Sequence, residues 1–466
     1  MNWPKPPFPL NKNKKKDGDS FLIKYLQGGR FTYLSKISRG IIAKLKPTAR
    51  KNDLRYFHEE LIKLWPLVLT DALKELKRHD EREYGGKNRR KMDTFFDPAS
   101  LGTTDLKEVL KGFSEFEGMM YGASPSHYRD HIEHSFRVWI IGHGILQTCF
   151  GGTLLAPAKD IGLSNSITQV EWECMWAIVA LCHDIGYPLS HIERINERAR
   201  ETLQKQGLIS EGDLRFTFRQ QMLPFHDTLI KIMSSEPIRL PGREPVYHTH
   251  VQNKYYLKFL KSFDKLDHGI VSALMVSKSL TYFLESDFSQ DTLKPLNEND
   301  SRQFLIRREI LRSIAAHTCQ DIYHLDFNTL AFLLYVVDEI QCWGRPTLEE
   351  LQHEATNIGE GYAEIKSLSK KKMNIQITTG DSEWNESQQR GVLYEVLKLR
   401  RMLRLALDIT KLVNKKLIFE VRNKKGKQRL RLMLRNGAIE LRHKKFQTKG
   451  VIDSVPMLRQ QIKKIK

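Results

Sequence analysis

The chain of 466 residues is 40% hydrophobic, which is enough apolar material for a sizeable core and excludes an intrinsically disordered protein. Its formal net charge is +20, and no apolar run approaches the ~18 residues that a membrane-spanning helix needs. The N-terminal stretch is rich in proline and lysine instead of the apolar residues of a signal peptide. Five cysteines without a CxxC pair argue against a disulfide framework, so the sequence predicts a protein of the reducing cytoplasm.

The positive charge is concentrated at the two ends. Residues 1–50 hold 12 Lys and Arg against 2 acids, and residues 411–466 hold 18 against 3. Such ends attract polyanions, which predicts nucleic acid or an acidic partner, although charged ends that simply remain solvated are an equally good interpretation. Residues 1–50 are predicted to be a basic arm that docks late, if at all, on the rest of the protein.

Helical periodicity dominates the next part of the chain, and residues 51–366 are predicted to form one helical domain. An amphipathic helix is predicted over 54–78, with a kink or break at Pro66, followed by a loop over 79–100. Turn-rich stretches are predicted at 151–166, 234–250 and 286–300.

The C-terminal part changes character. Residues 367–410 are predicted to be a linker followed by a helix, and residues 411–466 a basic extension that contains β-strands. In that extension three leucines alternate with arginines and a methionine, namely Leu430, Leu432 and Leu434 with Arg429, Arg431 and Met433. This period of two indicates a strand, and Asn436-Gly437 is a hairpin signal. The predicted fold class is therefore mainly α, with a small basic antiparallel β meander over 416–443.

Three His-Asp dipeptides occur, so the dipeptide alone carries no information. His79-Asp80 lies in a run of charges, and His226-Asp227 is typical of a helix start. His183-Asp184 differs because it ends a run of nine apolar residues and is followed by Ile-Gly-Tyr-Pro, which should end the helix. A buried imidazole and carboxylate need a partner, either each other or a metal ion.

Further histidines and an aspartate are embedded in apolar helical sequence. They are His131 and His134 in RDHIEHSFRVWIIG, His268 in KLDHGIVSALMV, His317 in ILRSIAAHTC and Asp338 in LAFLLYVVDEIQ. Each alone is more often a satisfied core group than a ligand. Together they place ligand-type side chains on five helical segments, as a metal site in a helical bundle requires.

The order His134, His183-Asp184, Asp338 resembles the HD superfamily of metal-dependent phosphohydrolases, whose motif order is H…HD…D. The resemblance covers roughly residues 100–350 and implies an HD-type helical bundle core with this metal-ligand set: His134, His183, Asp184, His268, His317 and Asp338. Of these, His268 and His317 correspond to the extra histidines of two-metal members. One or two divalent ions are implied, and ligands of this type favour Mn, Fe, Co, Ni or Zn.

The same resemblance suggests the reaction. Hydrolysis needs an activated water and a proton donor for the leaving oxygen. The predicted catalytic residues are Asp184, which would also be a ligand, His191 and His131 as proton donor or substrate contact, and Arg137 as a phosphate contact, with Arg345 as a second choice.

The substrate is less sharply indicated. HDIGYPLSH resembles the segment HDxGxxPFxH of deoxynucleoside triphosphate triphosphohydrolases but is one residue shorter, while Tyr187 replaces the lysine of two-metal HD-GYP phosphodiesterases. A deoxynucleoside triphosphate is therefore the favoured nucleotide substrate. The alternatives are a cyclic or oligonucleotide phosphodiesterase or nuclease and, outside enzymes, a nucleotide-sensing nucleic-acid-binding protein. A homo-oligomer is also expected.

Overall fold

The structure is a computed structural model, and it describes these residues: 22–45, 54–84, 107–116, 131–149, 162–163, 167–189, 200, 204–205, 223–242, 246–280, 295–319, 329–341, 362–369, 372–379, 416–423, 428–435, 438–443 and 446–447. In chain order the helices are α1 (Lys36–Lys44), α2 (Leu54–Tyr84), α3 (His131–Cys149), α4 (Gln169–Cys182), α5 (Leu223–Ser234), α6 (Asn253–Asp264), α7 (His268–Ser279), α8 (Glu298–Ala316) and α9 (Leu330–Ile340). The strands are β1 (Ser235–Arg239), β2 (Tyr247–Val251), β3 (Tyr362–Ser369), β4 (Lys372–Thr379), β5 (Lys416–Asn423), β6 (Gln428–Arg435), β7 (Ala438–His443) and β8 (Phe446–Gln447).

The chain divides into two compact units, each built from segments that are distant in sequence. The terminal unit comprises Met1–Leu61, Ala123–Ala156 and Tyr323–Lys466, and the central unit comprises Ile62–Gly122 and Pro157–Ile322. The predicted segment boundaries at 50, 366 and 410 remain predictions. The mainly helical fold class with a small basic β region is confirmed.

In the terminal unit, part of the basic arm packs on α3. The Tyr25 hydroxyl forms a hydrogen bond of 2.9 Å with Nδ1 of His143. The Phe31 ring lies 4.0 Å from the His143 ring and 4.8 Å from the Trp139 ring, measured between centroids. Residues 22–45 of the predicted arm therefore do dock, because aromatic side chains between the basic residues supply a buried contact. That the arm docks late stays a prediction.

Helix α9 is strongly apolar, and it packs on α3. The Thr329 side chain accepts a hydrogen bond from the Phe332 backbone N–H and so caps the start of the helix. Every residue from 331 to 337 is buried. Burial of this run carries Asp338, the next residue, to the edge of the core.

The C-terminal strands form one six-stranded sheet in the order β3-β4-β5-β6-β7-β8. Neighbours are antiparallel except β4 and β5, which are parallel. Arg435 pairs with Ala438 across β6 and β7, so the predicted hairpin is confirmed. The predicted linker is wrong over 367–379, where most of the β3–β4 pair lies. The helix predicted to follow this linker lies outside the described residues.

In the central unit, α4 and α8 pack together, and α7 packs on α8. Strands β1 and β2 form an antiparallel pair in the stretch predicted to be turns, with Ser235 opposite Val251. Helix α2, which belongs to this unit from Ile62 onwards, runs through Pro66 and continues to Tyr84. The predicted break and the first part of the predicted loop are therefore wrong, while the alternative of a kink at Pro66 stays a prediction. Apolar side chains on both sides of the proline are buried, and their packing offsets the lost backbone hydrogen bond.

No helix within the described ranges combines the length and the apolar character needed to cross a membrane.

Candidate metal centre

Helix α4 delivers a histidine and an aspartate at its C-terminal end. It begins with a capping box, in which Thr168 and Glu171 satisfy each other's backbone N–H groups. Every residue from Glu171 to Cys182 is buried. His183 is the C-cap residue, and its side chain is fully buried, with Asp184 next to it at 8% exposure. The buried apolar run thus brings an imidazole and a carboxylate into the interior, as the sequence predicted.

A second helix ends at the same place. Near their N-termini, α4 and α8 are joined by a buried ion pair between Glu171 and Arg302. At their C-termini, the rings of His183 and His317 lie 5.1 Å apart between centroids, and His317 is the C-cap residue of α8. The two helices therefore run in the same direction. Because the C-terminal end of a helix carries partial negative charge, their joint ends attract a cation.

The third element is α7, which begins at His268 and packs closely on α8 and on the turn after α4. A Cβ added to Gly186 would come within 2.5 Å of the His268 carbonyl oxygen, and one added to Gly269 within 2.5 Å of Thr318 Oγ1. The Gly186 N–H donates to Ser272 Oγ at 2.8 Å, and the Gly269 N–H donates to Thr318 Oγ1 at 3.2 Å. The two glycines allow the close backbone approach that sets His268 beside the turn after α4.

Asp184 lies at the centre of three imidazoles. Its Oδ2 is 3.3 Å from His183 Nε2, and its Oδ1 is 3.4 Å from His268 Nε2 and 3.5 Å from His317 Nε2. One candidate ligand atom each from Asp184, His268 and His317 lie within 4.8 Å of one another, so these residues could hold a metal ion. We call Asp184, His183, His268 and His317 the Asp184 cluster.

Backbone carbonyls fix the tautomer of two of these rings. His183 Nδ1 donates to the Ala180 carbonyl at 2.8 Å, and His317 Nδ1 donates to the Ile314 carbonyl at 2.6 Å. A carbonyl oxygen can only accept, so each Nδ1 carries the proton and a neutral ring presents its Nε2 lone pair. Both lone pairs then face the Asp184 carboxylate, which also accepts. A cation among these atoms would remove that conflict, and the carbonyl contacts are the support that metal-binding histidines usually have.

The pKa shifts in the cluster favour a neutral imidazole and an ionised carboxylate. Burial lowers the pKa of His317, and this outweighs the contact with Asp184, which raises it, so His317 is neutral at neutral pH. Burial alone would raise the pKa of Asp184, but its interactions with His183 first, and then with His268 and His317, hold it well below its ordinary value. The cluster therefore offers a carboxylate and at least one neutral imidazole, the forms that bind metal.

The spacing also fits a common ion. Ligand atoms bound about 2.1 Å from one zinc-like ion at tetrahedral angles lie about 3.4 Å apart. The three distances from Asp184 oxygens to imidazole nitrogens are 3.3, 3.4 and 3.5 Å. Direct charge-assisted hydrogen bonds are shorter, at about 2.7–2.9 Å. The geometry and the donor set thus suit a divalent transition metal.

The terminal unit holds the other predicted ligands as a pair. His134 on α3 is fully buried, and its Nε2 is 3.0 Å from Asp338 Oδ1 on α9. Its Nδ1 contacts the side-chain oxygen of Gln341, so this ring too presents Nε2 towards a carboxylate. Gln341 was not foreseen from the sequence. Its position three residues after Asp338, at the end of the same helix, is the signal that could have found it.

The remaining predicted site residues have different outcomes. His131 is buried on α3, one turn before His134. Arg137 is also buried, but its guanidinium donates to Glu133 at 2.7 Å, and this pair competes with the predicted phosphate contact. His191 and Arg345 lie outside the described residues. The catalytic roles of all four remain predictions.

The structure brings four of the six predicted ligands together within the central unit and the other two together within the terminal unit. The grouping of all six around one centre remains a prediction of the motif order. Comparison of the chain with models of protein families, with curated proteins and with solved structures gives no match in any of the three. The resemblance to the HD superfamily therefore rests on the sequence motifs.

Proposed function

We propose that the chain is a metal-dependent phosphohydrolase that hydrolyses a nucleotide phosphoester, with a deoxynucleoside triphosphate as the favoured substrate. One observation carries the proposal: a buried carboxylate, Asp184, lies 3.3–3.5 Å from three imidazole nitrogens. Two of the rings are held by backbone carbonyls with Nε2 directed at that carboxylate. The H…HD…D order of the motifs supports the reaction type.

The proposed primary ligands are His134, His183, Asp184 and Asp338, with His268 and His317 for a second ion. The motif order is the basis of this grouping. A divalent ion bound by such groups supplies a water of lowered pKa and withdraws charge from the phosphoryl oxygens.

The protein's own residues hold these groups in place. The carbonyls of Ala180 and Ile314 fix the rings of His183 and His317, and the Gln341 side chain fixes the ring of His134. Fixed rings lose little further freedom on binding, which favours both affinity and a defined orientation of the substrate phosphate.

Proton transfer and access to the site can also be assigned to side chains of this chain. His131 and His191 are the proposed proton donors to the leaving oxygen. His268 is the most accessible member of the Asp184 cluster, with 26% of its side chain exposed, and the Tyr187 ring lies 5.5 Å from it. The proposed substrate reaches the cluster past these two rings.

The test is a substrate panel of dNTPs, NTPs, and cyclic mono- and dinucleotides with a short oligonucleotide. The full chain is loaded separately with Mn, Fe, Co, Ni or Zn, and the products are resolved by mass. Release of triphosphate, pyrophosphate or monophosphate from a dNTP, abolished by a chelator, is the expected result.

Hydrolysis of only the cyclic or oligomeric substrates would keep the reaction class and replace the substrate. Absence of turnover with every metal and every substrate would overturn the proposal and favour the non-enzymatic alternative, a nucleotide sensor that binds nucleic acid.

A further inference from the structure

The docked part of the arm, residues 22–45, buries most of its large apolar side chains and exposes every basic one. The range contains no aspartate and no glutamate. Its exposed basic residues, which we call the arm cations, are Lys24, Arg30, Lys36, Arg39 and Lys44. The docked arm therefore presents charge of one sign on a surface that its own apolar contacts hold in place.

The arm cations differ from a buried arginine of the same unit in their partners. The guanidinium of Arg137 is buried and donates to the Glu133 carboxylate at 2.7 Å. Among the residues that the structure describes, no carboxylate forms an ion pair with any of the five arm cations. Their charge is thus exposed to solvent and available to an anion from outside the chain.

The two arginines of this set are held by neutral groups. The Arg30 guanidinium lies over the Tyr25 ring, 4.5 Å from its centroid, and Nη2 of Arg39 donates to the Thr32 carbonyl at 2.9 Å. Neither contact neutralises the positive charge, and the Arg39 contact uses one of the five N–H donors that a guanidinium carries. A guanidinium held in this way loses less freedom when it binds a phosphate, which it can contact through two N–H groups at once.

The backbone of the arm brings the cations to an open face. The Gln27 side chain donates to the carbonyls of Ile42 at 3.1 Å and Leu45 at 2.9 Å, which joins the helical segment 22–27 to the end of α1. Lys36, Gly40 and Lys44 follow one another at intervals of four residues, so they share a face of α1 along about 12 Å. No described atom lies within 4 Å of a Cβ added to Gly40, so this face is uncovered between the two lysines.

We propose that the arm cations form a docking surface for nucleic acid, which they contact through its phosphates. Charge complementarity identifies the occupant, because double-stranded DNA carries one negative charge for about every 1.7 Å of its axis. A helix that lies on a membrane needs an apolar face that enters the lipid. Ile37 is the single large apolar side chain exposed within 22–45, so the arm lacks such a face. This surface is independent of the Asp184 cluster and of the proposed hydrolysis.

The experiment measures the fluorescence anisotropy of a labelled DNA duplex of about 20 base pairs, with the full chain, over a series of salt concentrations. The variant Lys24→Gln/Lys36→Gln/Lys44→Gln should bind at least about tenfold more weakly, and its plot of log affinity against log salt should flatten by about 2.7, because each lost phosphate contact contributes about 0.9. The variant Lys24→Arg/Lys36→Arg/Lys44→Arg keeps the charge and should bind within about twofold of the wild type.

The matched control is Lys107→Gln/Lys205→Gln/Lys261→Gln, which removes the same charge from three exposed positions of the central unit. Its affinity and its salt slope should stay close to those of the wild type. Absence of wild-type binding, equal losses in the two glutamine variants, or no loss in the arm variant would overturn the proposal. Tighter binding of phosphatidylserine vesicles or polyglutamate than of the duplex at equal charge would overturn it in favour of a membrane or an acidic protein.

Discussion

The central unit contains the same dipeptide, His-Asp, in two environments. At His183-Asp184 the carboxylate is 8% exposed and lies among three imidazoles. At His226-Asp227 the carboxylate is 38% exposed and binds Lys231 at 2.7 Å. Asp227 therefore belongs to an ordinary surface ion pair with Lys231, while His183-Asp184 has the composition and spacing of a metal site. The difference teaches that the sequence around the dipeptide decides its chemistry.

The cause lies in the preceding residues. Nine apolar residues precede His183, so α4 is buried on every side and its end enters the core. Helix α5 instead has one polar face, on which Asp227 also accepts a hydrogen bond of 2.7 Å from the Tyr256 hydroxyl. Substitutions at these two dipeptides, or at residues in contact with them, test this comparison.

The largest expected effect is on hydrolysis. Asp184→Asn keeps the shape of the side chain but removes the negative charge that faces three imidazoles, so turnover of the substrate found in the panel should fall on the order of 10³-fold. Asp227→Asn should stay within about threefold of the wild type. Steady-state rates of both metal-loaded variants check this, and equal rates for Asp184→Asn and the wild type would contradict it.

Metal affinity should follow the same division. His317→Gln removes an imidazole whose Nε2 is 3.5 Å from Asp184, and it should weaken Mn²⁺ binding by more than about 100-fold. His226→Gln, which alters a buried histidine of the other dipeptide, should leave the affinity unchanged. Isothermal titration of the metal-free variants with Mn²⁺ measures both. Equal losses of Mn²⁺ affinity in the two variants would mean that the effect comes from a disturbed fold and not from the loss of a ligand.

Gly186, two residues after Asp184, should matter for stability. In Gly186→Ala, the new methyl group would meet the His268 carbonyl oxygen at 2.5 Å, and the resulting strain should lower the free energy of unfolding by about 1–3 kcal/mol. Gly40→Ala is the control, because nothing lies within 4 Å of its added Cβ. Since Gly40 is inside α1, alanine should stabilise by about 0.5–1 kcal/mol. Urea denaturation distinguishes the two, and unchanged stability of Gly186→Ala would refute the tight packing.

The smallest effect belongs to the surface pair. Burial would raise the pKa of Asp227, but its bonds with Lys231 and Tyr256 lower it below the ordinary value. A carboxyl whose pKa is lower in the folded protein than in the unfolded chain stabilises the folded state at pH values above the unfolded pKa, about 4. This contribution is lost as the pH falls through the lower pKa of the folded state. Asp227→Asn should therefore be less stable than the wild type at pH 7 by under about 1 kcal/mol, and this difference should be smaller at pH 3. Urea denaturation of both proteins at pH 7 and pH 3 checks this. A larger difference in the free energy of unfolding at pH 3 than at pH 7 would contradict the prediction.

Much of the Asp184 cluster could be predicted because helix termini leave marks in the sequence. The apolar runs before His183 and His317 place both at helix C-caps, and the pattern after His268 places it at a helix start. Gln341 escaped prediction because a glutamine after an apolar helix has many possible roles. Only the fold shows its contact with His134.

The failures in the fold have physical reasons as well. The alternation along β3 is broken by a register shift between Ile365 and Ser367, so no period of two marks that strand. In β4 the alternation of Met373, Ile375 and Ile377 with polar residues was present, but the polar stretch around it suggested a linker. For Pro66, the packing of α2 overrides the local preference, and one sequence does not reveal packing.

X-ray absorption of the zinc-loaded protein tests the central claim most directly. Our account predicts that stoichiometric zinc remains after gel filtration, with imidazole nitrogens at about 2.0–2.1 Å. This shell should be lost in Asp184→Asn and kept in Asp227→Asn. Failure of the wild type to retain zinc, or an identical nitrogen shell in Asp184→Asn, would contradict the assignment of the Asp184 cluster as a metal centre.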